Sequence, residues 1–137
     1  MRTLHGNGSC AFRPQVIVER CISCCAASTP VATEIAWEIT SGAGVNILII
    51  DSGRDQNHED LGDVGSMTCV GGDPWDRYGH GTFVTGIVKA SNNSVGVIGG
   101  AYNAQVFTER DGDADPDPSG TACGVEWGRA HGVFVVN

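Results

Sequence analysis

Two residues of this chain have the types and surroundings for proton transfer: Asp51, which ends the apolar run 45–50, and His80, held in the turn Gly79-His80-Gly81-Thr82. A carboxylate bonded to one ring nitrogen of an imidazole orients the ring and stabilises its charged form. The second nitrogen is then free to take a proton from a hydroxyl. No serine-nucleophile pattern follows His80 before Asn137. The expectation is therefore two members of a charge-relay triad without the attacking third.

These side chains need elements to hold them. The run Val45-Asn46-Ile47-Leu48-Ile49-Ile50 is short, rich in β-branched residues and without polar alternation, which predicts a parallel strand buried on both faces. In open α/β sheets the functional crevice lies beyond the carboxyl ends of such strands, where Asp51 falls. Ser52 and Gly53 allow a sharp turn there, with Gly53 free to take positive φ. After His80, the residues Phe83, Val84, Ile87 and Val88 predict a largely buried helix beginning at or just before the histidine. Gly86 within it costs about 1 kcal/mol against alanine, and a close approach to the sheet is the expected reason. Upstream, Thr29 and Pro30 read as N-cap and first helical position, with Val31, Ala32, Ile35, Ala36 and Ile39 as one apolar stripe closed by Gly42 or Gly44. Downstream the reading is a long loop from Gly53 to Gly79, the His80 helix, a strand near Val106, a helix over about 121–130 and a strand over 133–136. Such alternation predicts an α/β fold, a parallel sheet with crossover helices. Residues 1–28 read as an irregular cysteine-rich arm and 29–137 as the α/β part.

Five segments carry a resemblance. They are VNILIIDSGRDQNHEDL (45–61), GHGTFVTG (79–86), NNSVGVIG (92–99), GVEW (124–127) and GVFVVN (132–137). Standing over 37–137 in that family's order and near its spacing, they are similar to the subtilisin-like serine peptidases. The chain departs from that family's usual pattern at Arg54, Glu59, Phe83 and Tyr102. The resemblance implies that 29–137 is the amino-terminal portion of an incomplete subtilisin-like domain, with 1–28 an arm or propeptide remnant. It implies serine-type endopeptidase activity on peptide or protein substrates, with Asp51 and His80 as acid and base and the serine beyond Asn137, so that this stretch alone is inactive. It also implies secretion, although residues 1–15 lack a charged-then-apolar secretory layout. A structural calcium ion is implied as well, held by the Asp60 carboxylate, the Asn93 side chain and the carbonyls of Ser91, Val95 and Val97. Mixed carboxylate and carbonyl oxygens suit that hard cation, and the same residues also read as a plain Asn/Ser/Gly turn.

Composition bounds the alternatives. With 41% hydrophobic and 18% charged residues the 137-residue chain falls in the globular class. Its net charge of −8, with eight cationic residues scattered singly, offers no basic stripe for nucleic acid. No run approaches the roughly 20 apolar residues of a membrane span. The acidic stretch DGDADPDP (111–118) fails as an EF-hand, since Pro116 and Ala122 stand where glycine and glutamate are needed; it reads as a solvated insertion. Cys21-x-x-Cys24 has half a zinc knuckle's spacing and no second pair. Pairing among the six cysteines stays open, Cys69 included. His58 reads as structural, and His131 is placed to favour a helix C-terminus. A nucleotide-binding or phosphoaspartyl domain is disfavoured because G-x-G-x-x-G, the P-loop and an acidic pair before Asp51 are all missing. One other class remains: a non-catalytic subtilase-like fragment or pseudoenzyme acting as a calcium-stabilised binding module. The reading frame past Asn137 separates the two.

Overall fold

The computed structural model describes residues 33–113 and 115–137. The arm 1–28 and the expected helix start at Thr29 and Pro30 lie outside the described residues. Four strands, β1 (Asn46–Asp51), β2 (Gly65–Thr68), β3 (Gln105–Arg110) and β4 (Val135–Val136), form one sheet in the order β2-β3-β1-β4. Every pair is parallel, and β1 runs beside β3 in register from Asn46↔Gln105 to Asp51↔Arg110. Helix α2 (His80–Lys89) connects β2 to β3, and helix α3 (Pro118–Ala130) connects β3 to β4.

The missing alternation in β1 has a direct cause. Ile47 and Ile49 pack with Val84 and Val88 of α2 on one face. Leu48 and Ile50 lie beneath α3 on the other, where a Cβ on Gly128 or Gly124 would come within 3.2 Å of Leu48 or 3.1 Å of Ile50. With both faces covered, both sets of side chains must be apolar.

Several expectations are corrected. The segment from Gly53 to Gly79 is not a loop throughout, because it contains β2, docked on β3. Helix α2 is less buried than its apolar spacing suggests. Phe83 and Ile87 are exposed, and the buried positions are Gly81, Thr85 and Lys89. A Cβ on Gly86 would meet open space; the close approach is at Gly81, where it would strike the Gly53 carbonyl. The upstream helix α1 (Thr33–Trp37) ends before Gly42 and Gly44, and Ile35 and Ile39 of its expected stripe are exposed. Its docking residue is Trp37, whose Nε1 donates to the Gly100 carbonyl at 3.0 Å and whose ring meets Tyr102 edge-on at 5.4 Å. Helix α3 starts earlier than expected because the Asp117 carboxylate accepts from Ser119 N at 2.8 Å and Pro118 takes the first helical position. Strand β4 is shorter than the expected 133–136, although Phe134 N and Asn137 N still bond to the Asn46 and Leu48 carbonyls.

The acidic stretch is only partly solvated. Asp111 is buried and accepts from Thr121 Oγ1 at 2.6 Å, while exposed Asp113 pairs with Arg110 at 3.1 Å. Cys69, just after β2, forms a disulfide with Cys123 of α3; Cys10, Cys21, Cys24 and Cys25 lie outside the described residues. His131 caps the end of α3, its Nδ1 2.7 Å from the Trp127 carbonyl and its ring stacked on Trp127 at 3.9 Å.

Candidate active site

Asp51 and His80, 29 residues apart in sequence, meet where the end of β1 faces the start of α2. The His80 Nδ1 lies 2.8 Å from Asp51 Oδ1 and 2.9 Å from Oδ2. Asp51 Oδ1 also accepts from Ser52 N at 2.7 Å. A carboxylate only accepts, so Nδ1 carries the shared proton and the Nε2 lone pair points away. Among the described residues Nε2 makes no hydrogen bond, and the His80 side chain is 58% exposed against 15% for Asp51. Such a ring is oriented by its inner nitrogen and can remove a proton with its outer one. Local sequence explains the approach. Gly79, at φ 96°, turns the chain into α2 in a conformation glycine adopts without penalty. Gly81 lets the first turn of α2 lie against Gly53 and Asp51, since a Cβ there would meet the Gly53 backbone and come within 3.2 Å of Asp51 Oδ1.

Three further polar residues hold this corner, and sequence reading missed their roles. Ser52 Oγ donates to Asp76 Oδ1 at 2.9 Å and accepts from Gly81 N at 2.9 Å. Asp76 also accepts from Tyr78 N (3.0 Å), Gly79 N (2.7 Å), Thr82 N (2.8 Å) and Thr82 Oγ1 (2.5 Å). Burial pushes its pKa up, but the bonds from Thr82, Gly79 and Ser52 outweigh that and hold the carboxyl below its ordinary range. An acid shortly before a helix-opening Gly-His-Gly was the available signal. Arg54, a departure from the family pattern, is buried and donates to the carbonyls of Asp55 (3.2 Å), Leu61 (3.1 Å) and Val64 (2.8 Å) and to Ser66 Oγ (3.2 Å). It braces the segment between Asp51 and β2.

The segment 91–97 does fold around Asp60, as the expected calcium site requires, but with donors turned toward the acid. Buried Asp60 accepts from Ser91 N at 3.2 Å, Asn93 Nδ2 at 3.1 Å and Val97 N at 3.1 Å. The Asn93 Oδ1 is taken by Val95 N at 2.6 Å, and the Ser91 carbonyl by Asn93 N at 2.9 Å. Subtilases are generally calcium-binding. Yet N–H groups aimed at a carboxylate, with no orphaned buried side-chain oxygen beside them among the described residues, do not fit a cation as arranged. His58 Nδ1 accepts from Asp60 N at 3.3 Å, a structural role.

One more acid stands out near the strand ends. Glu109 on β3 is fully buried; its Oε1 accepts from Cys69 N at 2.9 Å and its Oε2 has no partner. Burial, followed by the nearby Asp111 charge, raises its pKa to about 7 against the pull of the Cys69 bond.

At the carboxyl edge of the parallel sheet, an aspartate ending β1 and an imidazole opening α2 thus form a hydrogen-bonded pair whose outer ring nitrogen is open, an arrangement chemically able to move a proton. A profile of the subtilase family matches residues 42–137, and the chain belongs to that family of serine peptidases. It is 38% identical over 101 residues to subtilisin BL of Lederbergia lenta, an alignment covering 71% of this chain and 37% of that protein. It is 33% identical over 125 residues to an alkaline protease of Alkalihalobacillus alcalophilus, covering 80% and 33%. To subtilisin E of Bacillus subtilis it is 34% identical over 102 residues, covering 71% and 27%. The chain thus spans about a third of the length of the curated relatives it matches.

Proposed function

We propose that these residues supply the acid and base of a serine-type endopeptidase that acts outside the cell on peptide or protein substrates. His80 serves as general base toward a serine hydroxyl and then as general acid toward the leaving amine. Asp51 fixes the ring's tautomer and stabilises the imidazolium. In this reading the serine and the groups that stabilise the oxyanion come from outside residues 1–137, so the stretch alone is inactive. The observation that carries the proposal is the two-oxygen contact of Asp51 with His80 Nδ1, with Nε2 left facing outward. Family membership supports peptide-bond chemistry. No helix among the described residues is long and apolar enough to cross a membrane.

Calcium enters no step of this proposal. If an ion stabilises the domain, Asp60, Ser91, Asn93, Val95 and Val97 are the residues that would hold it.

The test is to express the longest open reading frame containing residues 1–137 and follow hydrolysis of a chromogenic peptide. His80→Ala is expected to lower kcat at least about 10⁴-fold, because triad members act as a unit. Hydrolysis undiminished by the substitution would exclude the assignment. A folded product without hydrolysis would favour a binding module.

A further inference from the structure

We propose that Asp76 is the positioning residue of the Asp51–His80 pair, its carboxylate tying the peptide after Asp51 to the first turn of the helix that carries His80. The proposal rests on the charge-relay reading above and deepens it. Asp51 and His80 sit on separate elements, and the bond between their side chains is at an exposed edge. Something must fix the two backbones relative to each other, and the polar atoms available for that converge on one carboxylate. On the strand side, Ser52 Oγ donates to Asp76 Oδ1. On the helix side, Gly79 N, Thr82 N and Thr82 Oγ1 donate to it. Ser52 Oγ also receives Gly81 N, and Thr82 Oγ1 also receives Asp55 N at 2.9 Å, so each hydroxyl links strand end to helix start. The Asp76 backbone closes the frame, its N–H donating to the Arg54 carbonyl at 3.2 Å, while Arg54 N donates to Pro74 O at 3.3 Å. Acceptors at the start of a helix are favourable there for the orphan N–H groups they satisfy and for the helix dipole. In this corner the same acceptor also reaches across to the neighbouring strand.

The role has a signature that a purely stabilising one lacks. With Asp76 intact, the Nδ1–H of His80 is held on Asp51. Without it the fold can persist while the two side chains sample separate positions. The experiment is proton NMR of the protein, following the low-field imidazole Nδ1–H resonance and its exchange with water under native conditions. Asp51→Asn is the control that assigns the resonance to the pair. In Asp76→Ala and Asp76→Asn the resonance is expected to be lost or to exchange at least about tenfold faster, with unchanged core methyl signals. Ser52→Ala, which removes the strand-side link alone, should give a smaller increase. Unchanged exchange in folded Asp76→Ala overturns the proposal and leaves the charge-relay reading standing. Should that variant unfold, unchanged exchange in Asp76→Asn and Ser52→Ala overturns it equally. A low-field resonance absent from the unsubstituted, folded protein overturns the pair and the proposal resting on it together.

Discussion

Asp51 and Glu109 lie on neighbouring parallel strands, Ile50 being the register partner of Glu109 and Asp51 that of Arg110. Their surroundings differ in kind. On the α2 side the carboxylates of Asp51 and Asp76 receive hydrogen bonds from backbone N–H groups, hydroxyls and an imidazole. On the α3 side Glu109 is buried with one donor, the Cys69 N–H, and an orphan oxygen. The first side is held together by polar bonds that aim a functional pair, and the second by glycine-mediated packing at Gly124 and Gly128 and by the Cys69–Cys123 disulfide. The contrast teaches that burial alone does not set a carboxyl's state. Asp76 stays below the ordinary carboxylate range despite burial, whereas Glu109 is pushed up to about 7 because its donors are too few to offset desolvation.

The largest effect should come from cutting the covalent tie on the α3 side. The bridge spans a sequence separation of 54 residues, for which loop-closure entropy gives about 4 kcal/mol. The double variant Cys69→Ser/Cys123→Ser should lower the free energy of urea unfolding by up to that amount. An unchanged transition midpoint would mean that packing at Gly124 and Gly128 suffices.

Glu109 should come next, and only at the alkaline end. Its folded-state pKa of about 7 stands above the usual 4.5. Between those values the folded chain keeps a proton that the unfolded chain has released, so stability falls as pH rises through this window. Above it the full deficit, about 3 kcal/mol, applies. Glu109→Gln mimics the neutral acid and keeps an acceptor for Cys69 N. It should match the parent near pH 4, exceed it by that margin at pH 8, and show a flatter profile in urea unfolding between them. Parallel profiles for the two proteins would show that Glu109 finds a second partner.

These differences mark what could be read from sequence. The apolar residues 47–50 of β1 and the Gly-His-Gly turn placed Asp51 and His80 because both signals are local. Strand β2 escaped notice because Gly65-Ser66-Met67-Thr68 is short and lacks a clear β pattern; its place comes from docking beside β3 and from Arg54 bracing the segment before it. The spacing of Phe83 and Ile87 tells that they share a helix face and says nothing about whether that face is covered. The roles of Ser52 and Asp76 depend on contacts between residues 24 apart, and the orphan oxygen of Glu109 is equally invisible without the packing of α3.

On the α2 side the polar frame can be tested a bond at a time. Ser52→Ala removes the hydroxyl shared by Asp76 and Gly81 N in a buried setting. The expected loss is about 1–2 kcal/mol in urea unfolding, nearly independent of pH above 5. A loss below about 0.3 kcal/mol would show that Thr82 and the Arg54–Asp76 backbone pair hold the frame without it.

The smallest effect should be that of calcium. An ion bound at Asp60 with 100-fold excess over its dissociation constant would raise folding stability by about 2.7 kcal/mol, a shift of roughly 10 °C or more in the melting temperature of a domain of this size. As arranged, Asp60 faces three N–H donors, and the Asn93 side-chain oxygen serves Val95 N. An ion would have to displace those donors and turn the Asn93 amide before it gained any oxygen from that side chain. The melting temperature in excess chelator should therefore lie within about 1 °C of that in millimolar calcium, a difference too small for a bound ion by the same linkage relation. A rise of several degrees with calcium, abolished by Asp60→Asn, would show that the loop rearranges around a cation and would place a third mode of carboxylate stabilisation beside those of Asp76 and Glu109.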